Sequence, residues 1–138
     1  MNCGENMNDI QANKRVCTQF FNLVCAREYD RAMQLLQEDV EWWVNGDLPT
    51  SGTYHGRDAV TGLFGLLRDN VPAGLKIHFT AITAEEDRVA IEMNSEGEFS
   101  NGRSYRNIYH MLFWVRGGLI SKAHEYFDTK YTAEFLSA

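Results

Sequence analysis

Asn107, Tyr109, His110, His124, Glu125, Tyr126 and Asp128, all able to hydrogen-bond or move a proton, crowd one short stretch of the chain. They stand among Ile108, Leu112, Phe113 and Trp114. Carboxyls, imidazoles and phenols in apolar company are the parts of general acid–base chemistry. Desolvation disfavours the charged form of a carboxyl, so an enclosed one titrates nearer to neutral pH, where proton transfer is efficient. Folding alone does not call for so many titratable groups on strand-forming sequence.

A hairpin must position them. Residues 103–129 read RSYRNIYHMLFWVRGGLISKAHEYFDT, with two runs of strand formers flanking Gly117-Gly118. Paired glycines supply the positive φ angles of a tight turn. A two-residue turn pairs Arg116 with Leu119, His110 with Glu125 and Asn107 with Asp128. On that register His110 and Glu125 share one face, and Asn107, Tyr109, Tyr126 and Asp128 share the other. A bulge within 121–127, which we expect, shifts one strand by a residue and brings His110 and Asp128 to the same face. A regular ladder leaves His110–Glu125 as the dyad instead.

The preceding elements form the rest of the container. Ile10, Val16, Phe20, Leu23 and Val24 make a helical stripe over about 8–27, with Cys17, Phe21 and Cys25 as core filling. A short second helix follows Asp30. Val40 to Val44 reads as a strand on which Trp42 and Trp43 point to opposite sides. Residues 45–56, NGDLPTSGTYHG, have loop chemistry and could cover a pocket mouth; His55 lies within them. A third helix spans about 58–71 and stops at Pro72 and Gly74. Alternating strands then cover about 75–80 and 89–94, with an acidic turn at Glu85-Glu86-Asp87, and a helical tail covers 133–136. Helices early and strands late indicate an α+β fold: a cone-shaped, curved antiparallel sheet wrapped around N-terminal helices, its hollow a small-molecule pocket. We expect a flexible stretch at 1–8 and one domain over 9–138.

The 138 residues carry a formal net charge of -6, which argues against a nucleic-acid backbone or an anionic membrane surface as partner. No apolar run approaches the ~18 residues of a membrane span. The start, MNCGENMNDIQANK, lacks the basic and apolar parts of a signal peptide. Cys3, Cys17 and Cys25 read as reduced thiols of a cytoplasmic protein. No ligand spacing suggests a metal, and no motif suggests a cofactor.

From about residue 10 to 138 the order of elements resembles the nuclear transport factor 2-like superfamily, in the branch of SnoaL-like polyketide cyclases, ketosteroid isomerase and limonene epoxide hydrolase. The resemblance is carried by Trp43-Val44-Asn45 running to Pro49, Gly56-Arg57-Asp58-Ala59-Val60, Gly102-Arg103-Ser104-Tyr105, Gly118-Leu119-Ile120 and Glu125-Tyr126-Phe127-Asp128. It implies Asp128 as catalytic base, with His110 and Tyr126 as hydrogen-bonding partners. Trp43 and Asn45 match positions that hold the attacking water in the hydrolases. The hydrolases' arginine and second aspartate fall at Met93 and Ser95, so their Asp-Arg-Asp arrangement is broken. Trp43, Asn45, Met93, Ser95, Leu112 and Glu125 are the implied substrate-binding residues. The resemblance also implies a homodimer through the outer sheet face, with Tyr105, Tyr109 and Phe113 as interface candidates.

Two readings stay open for Asp128, base or cap of the C-terminal turn. Glu92 can be a pocket acid or a solvated residue, and Arg57 and Arg103 read as surface charges. The functional expectation is cofactor-free acid–base chemistry, as in an isomerase or cyclase, on an apolar ring-containing substrate. The alternatives are a non-catalytic ligand-binding or dimerisation module and, third, an epoxide hydrolase.

Overall fold

In the computed structural model, the structure describes residues 3–137, with side chains from residue 9 onward. Helix α1 (Cys3–Cys25) and the short α2 (Tyr29–Met33) lead into strand β1 (Leu36–Val44). Strand β2 (Gly52–His55) and helix α3 (Arg57–Asn70) follow. Then come β3 (Lys76–Glu85), β4 (Arg88–Glu98), β5 (Ser104–Arg116), β6 (Leu119–Phe127) and helix α4 (Thr129–Ser137). The backbone of α1 begins five residues before the expected Asn8. Met1 and Asn2, within the stretch expected to be flexible, lie outside the described residues, as do the side chains of residues 3–8.

The strands form one sheet in the order β2-β1-β6-β5-β4-β3. Every neighbouring pair is antiparallel except β1 and β6, which run parallel. Parallel neighbours need a long crossover, and here β2, α3, β3, β4 and β5 intervene between them. One expectation needs correction. Part of the loop over 45–56 is strand β2, paired with the end of β1 from Glu41↔His55 to Val44↔Gly52. Thr53 and Tyr54 are good strand formers, and an edge strand needs only one hydrogen-bonded neighbour. The glycines and proline nearby disguised it.

The sheet closes over α1 and α3. Phe20, Phe21, Trp42, Phe64 and Phe113 meet at ring-centroid distances of 5.3–5.9 Å, mostly edge to face. That is a favoured arrangement for aromatic quadrupoles. Val16, Cys17 and Val24 extend this core along α1, and Val60 does so on α3. Burial pushes the Cys17 thiol up to about 12, so it packs as an inert apolar group. Arg57 is not a free surface charge: its guanidinium donates to the Leu36 carbonyl and ties α3 to the start of β1. Arg103 likewise donates to the Phe135 carbonyl and lies 4.2 Å over the Phe135 ring, holding α4 down. Among the described residues no helix is long and apolar enough to cross a membrane.

Candidate functional site

The β5–β6 hairpin decides which polar groups face inward. Gly117 and Gly118 take φ angles of 60° and 80°, and the ladder starts with Arg116 opposite Leu119. Val115 pairs with Ile120 but Trp114 pairs with Lys122, so Ser121 is an extra residue. Its hydroxyl donates to the Trp114 carbonyl at 3.1 Å. This is the expected bulge, within 121–127. Beyond it Met111 stands opposite Glu125, and His110 opposite Tyr126. Because strand side chains alternate, the extra residue sends Glu125 inward with Met111, Phe113 and Ala123.

Glu125 lines a cavity of about 240 Å³ between the sheet, α1, α3 and α4. The walls are mainly apolar, including Phe21, Val24, Leu63, Phe64, Met93, Met111 and Phe127. Leu66 of α3 and Leu136 of α4 also line it yet remain 46% and 51% exposed, which marks its mouth. Trp42 donates its indole N–H to Glu125 Oε1 at 3.0 Å. Desolvation outweighs that hydrogen bond and raises the Glu125 carboxyl to about 7. At neutral pH it is therefore divided between acid and base forms.

A second polar group lies one inward position along the ladder, where Tyr109 faces Phe127. The Tyr109 hydroxyl lies 2.8 Å from that of Tyr105, which lies 2.8 Å from Thr132 Oγ1. Asn107 Nδ2 donates to Tyr105 at 3.0 Å. Burial, then Tyr105 and then Glu125, hold the Tyr109 phenol well above its ordinary range. Tyr109 is thus a neutral hydrogen-bond donor. One proton order open to the chain runs from Asn107 through Tyr105 to Tyr109, leaving the Tyr109 hydrogen for an oxygen in the cavity.

The residues expected to be catalytic stand elsewhere. His110 is exposed on the outer sheet face, and Tyr126, 40% exposed, lies beside it at 6.4 Å between rings. Asp128 is exposed; its Oδ1 accepts the Tyr131 N–H at 3.0 Å and caps α4. The bulge does put His110 and Asp128 on the same parity, but not toward the cavity. Trp43 packs outside against His124 and Tyr126, both at 5.2 Å, and Leu112 shares that face opposite His124. Asn45 supports the wall from behind, its backbone N–H donating to the Glu125 carbonyl at 3.1 Å. Met93, Ser95 and Glu125 are the expected binding residues that line the cavity. Tyr105, Tyr109 and Phe113, expected at an interface, face the interior. Glu92 is exposed on the outer face, paired with His110 in the ladder. His55 is exposed too, 3.8 Å from Glu41.

The role of Trp42 was not foreseen, nor that of Tyr109 as the cavity's donor. The signal was present: Tyr109, Met111, Phe113 and Val115 are the more apolar alternation of β5, and Ala123 and Phe127 that of β6. Matching those two sets selects the inner face and carries Glu125 with it. Among the described residues, no group of three His, Cys, Asp or Glu could hold a metal ion.

A family profile described as SnoaL-like domain matches residues 17–123. The chain belongs to the SnoaL-like family. No curated protein matches it, but many solved structures share its nuclear transport factor 2-like fold. A protein from a soil-derived mobile gene cassette is 19% identical, with TM-score 0.83 over 92% of this chain and 98% of that one. A nuclear transport factor 2-like protein from Anabaena variabilis is 26% identical, with TM-score 0.75 over 85% and 90%. An epoxide hydrolase of M. tuberculosis, similar to limonene epoxide hydrolase, is 17% identical, with TM-score 0.74 over 91% and 89%. In this SnoaL-like chain, Glu125 falls just beyond the matched segment.

Proposed function

We propose that the chain is a small-molecule enzyme of the SnoaL-like family that moves protons, without a cofactor, on an apolar ring-containing substrate. The observation that carries this reading is Glu125, a carboxyl at about 7 enclosed in an apolar cavity. Its ionised form takes a proton from a substrate carbon or hydroxyl and returns it at another position, as an isomerase or cyclase requires. Tyr109 donates to the oxygen on which negative charge develops. Trp42 holds one carboxyl oxygen and orients the other. Asp128, His110 and Tyr126, first candidates from the sequence, pass the catalytic role to this inner pair. Epoxide opening by the hydrolase route is disfavoured, because among the described residues no arginine lines the cavity, and Met93 and Ser95 occupy the positions it needs.

The outer face supports a second part of the proposal, a homodimer. Trp43, Leu112, Trp114, His124 and Tyr126 form an aromatic and apolar surface there, and Ile108 is 68% exposed. Free Cys17 and Cys25 fit a reducing compartment such as the cytoplasm.

The test is deuterium uptake at the α-carbons of 2-tetralone in D₂O, followed by NMR. Wild-type protein should exceed the buffer rate, with activity rising through about pH 7 as Glu125 ionises. Glu125→Gln should lose on the order of 100-fold, and His110→Ala should change little. Equal rates for wild type and Glu125→Gln would sink the acid–base assignment. Binding without any uptake would favour a non-catalytic ligand-binding module.

A further inference from the structure

Ser95 is 4% exposed, lines the cavity, and its hydroxyl has no hydrogen-bond partner. Buried hydroxyls are ordinarily bonded, so an orphan calls for an explanation. The polar groups beside it on β5 are already committed. Ser95 stands opposite Asn107 in the ladder. The Asn107 amide nitrogen is committed to Tyr105, Thr132 and the Asp128 carbonyl, each at 3.0 Å. Its oxygen accepts from the backbone N–H groups of Ile108 and Asp128. The Tyr105 hydroxyl is taken by Tyr109, Thr132 and Asn107. A serine hydroxyl swings among staggered positions about one bond, so it can turn to meet whatever fills the cavity.

Position and charge narrow what that is. Along β5, Ser95 flanks Asn107 while Glu125 flanks Met111. Those β5 positions are roughly 14 Å apart along the strand, at ~3.4 Å per residue. Ser95 and Glu125 therefore serve opposite ends of an occupant, and Tyr109 lies between them. Among the described residues no Lys, Arg or His lines the cavity, so an acid would find no counter-charge there. The Glu125 carboxyl is already bonded to Trp42 and half protonated at neutral pH, a poor match for an ammonium group.

We propose that Ser95 is the specificity residue of this cavity, binding a carbonyl or hydroxyl oxygen of an uncharged, elongated ring compound at the end remote from the carbon that Glu125 works on. The substrate carries two oxygens: one beside the reacting carbon, held by Tyr109, and a recognition oxygen at the far end, held by Ser95. This rests on the acid–base reading of the same cavity and adds a substrate class to it.

The experiment compares 2-tetralone with its 5-, 6- and 7-hydroxy derivatives, measuring affinity by titration calorimetry and α-deuteration by NMR. At least one hydroxy isomer should bind wild-type protein about tenfold more tightly than 2-tetralone, the worth of one good hydrogen bond. Ser95→Ala should erase that preference, bringing the hydroxy isomers to the affinity of 2-tetralone. Its melting temperature should equal or exceed that of the wild type, because it removes an unbonded buried hydroxyl. If no hydroxy isomer binds wild-type protein more tightly, or if Ser95→Ala keeps the preference, the Ser95 assignment is overturned while Glu125 chemistry stands. If deuteration of 2-tetralone is equal in wild type and Glu125→Gln, the acid–base reading falls and this inference with it. The comparison within wild-type protein needs no variant to fold.

Discussion

The two faces of the β5–β6 hairpin carry similar residues and do different things. Outside are His110, His124 and Tyr126 with Leu112 and Trp114, and Trp43 of the neighbouring β1 packs beside them. Inside are Tyr105, Asn107, Tyr109 and Glu125 with Met111, Phe113 and Phe127. Residue type alone favours the outer set, which holds both imidazoles. Environment favours the inner one. There a half-buried carboxyl lines an apolar cavity, held by an indole N–H and brought to about 7. The difference teaches that a titratable side chain becomes a reagent through what surrounds it: Tyr126, 40% exposed, lies on the solvent side, whereas half-buried Glu125 is set among apolar walls that disfavour its charge.

The most drastic change to the chain that tests the comparison is to delete Ser121. Removing the residue that the ladder skips leaves Lys122 opposite Trp114 and Glu125 opposite Met111 in a regular ladder, so the two faces keep their residues. We expect a cooperative melt in circular dichroism and a Glu125 titration still near its wild-type midpoint. Loss of that titration would mean that the bulge itself shapes the cavity.

Glu125→Gln sharpens the inner side. The carboxyl rises from an ordinary 4.5 to about 7 in the folded protein. Between those values the folded state binds more protons than the unfolded chain, so this group's contribution to stability falls as pH rises through the window. The total is about 3 kcal/mol, by ~1.4 kcal/mol per unit. Urea titrations at pH 5 and pH 8 should show this slope in wild type and lose it in Glu125→Gln. An unchanged slope would mean that the carboxyl is hydrated.

A smaller effect tests the hairpin's end. Asp128→Ala removes the cap of α4 and should cost about 1 kcal/mol, while the pH profile of 2-tetralone deuteration keeps its midpoint. A moved midpoint would tie Asp128 to the cavity's protons. Smallest of all, Trp43→Ala on the outer face should shift the protein toward monomer in light scattering and leave the Glu125 titration in place.

Much of the fold was legible in the residues. The stripe of α1, the alternation of β3 to β6 and the glycine turn each have a local physical cause, and local causes can be read from a linear chain. Strand β2 was not legible, because its pairing with β1 comes from a distant contact and its neighbours look like loop. The site was legible in part. Asp128 drew attention through family position, yet its Oδ1 meets the Tyr131 N–H of the helix that follows. Glu125 was named for binding, but its enclosure depends on Phe64, Trp42 and the walls of three helices, which no window of sequence displays. The bulge itself was foreseen; the face that each register offers to the interior was not, because that follows from which alternation is the more apolar.

A strand is read two letters at a time, and Ser121 is a frameshift in that reading. Upstream of it the odd-numbered residues of β6 would have faced solvent; downstream they face the cavity. A relative with one residue fewer here keeps Glu-Tyr-Phe-Asp facing the same way on a regular ladder, whereas one of equal length without the bulge presents the opposite members to a substrate. For this hairpin, aligning a shorter relative without a gap at 121 compares an inside with an outside. The inheritance of the reactive carboxyl then depends on where the strand absorbs its extra residue as well as on composition.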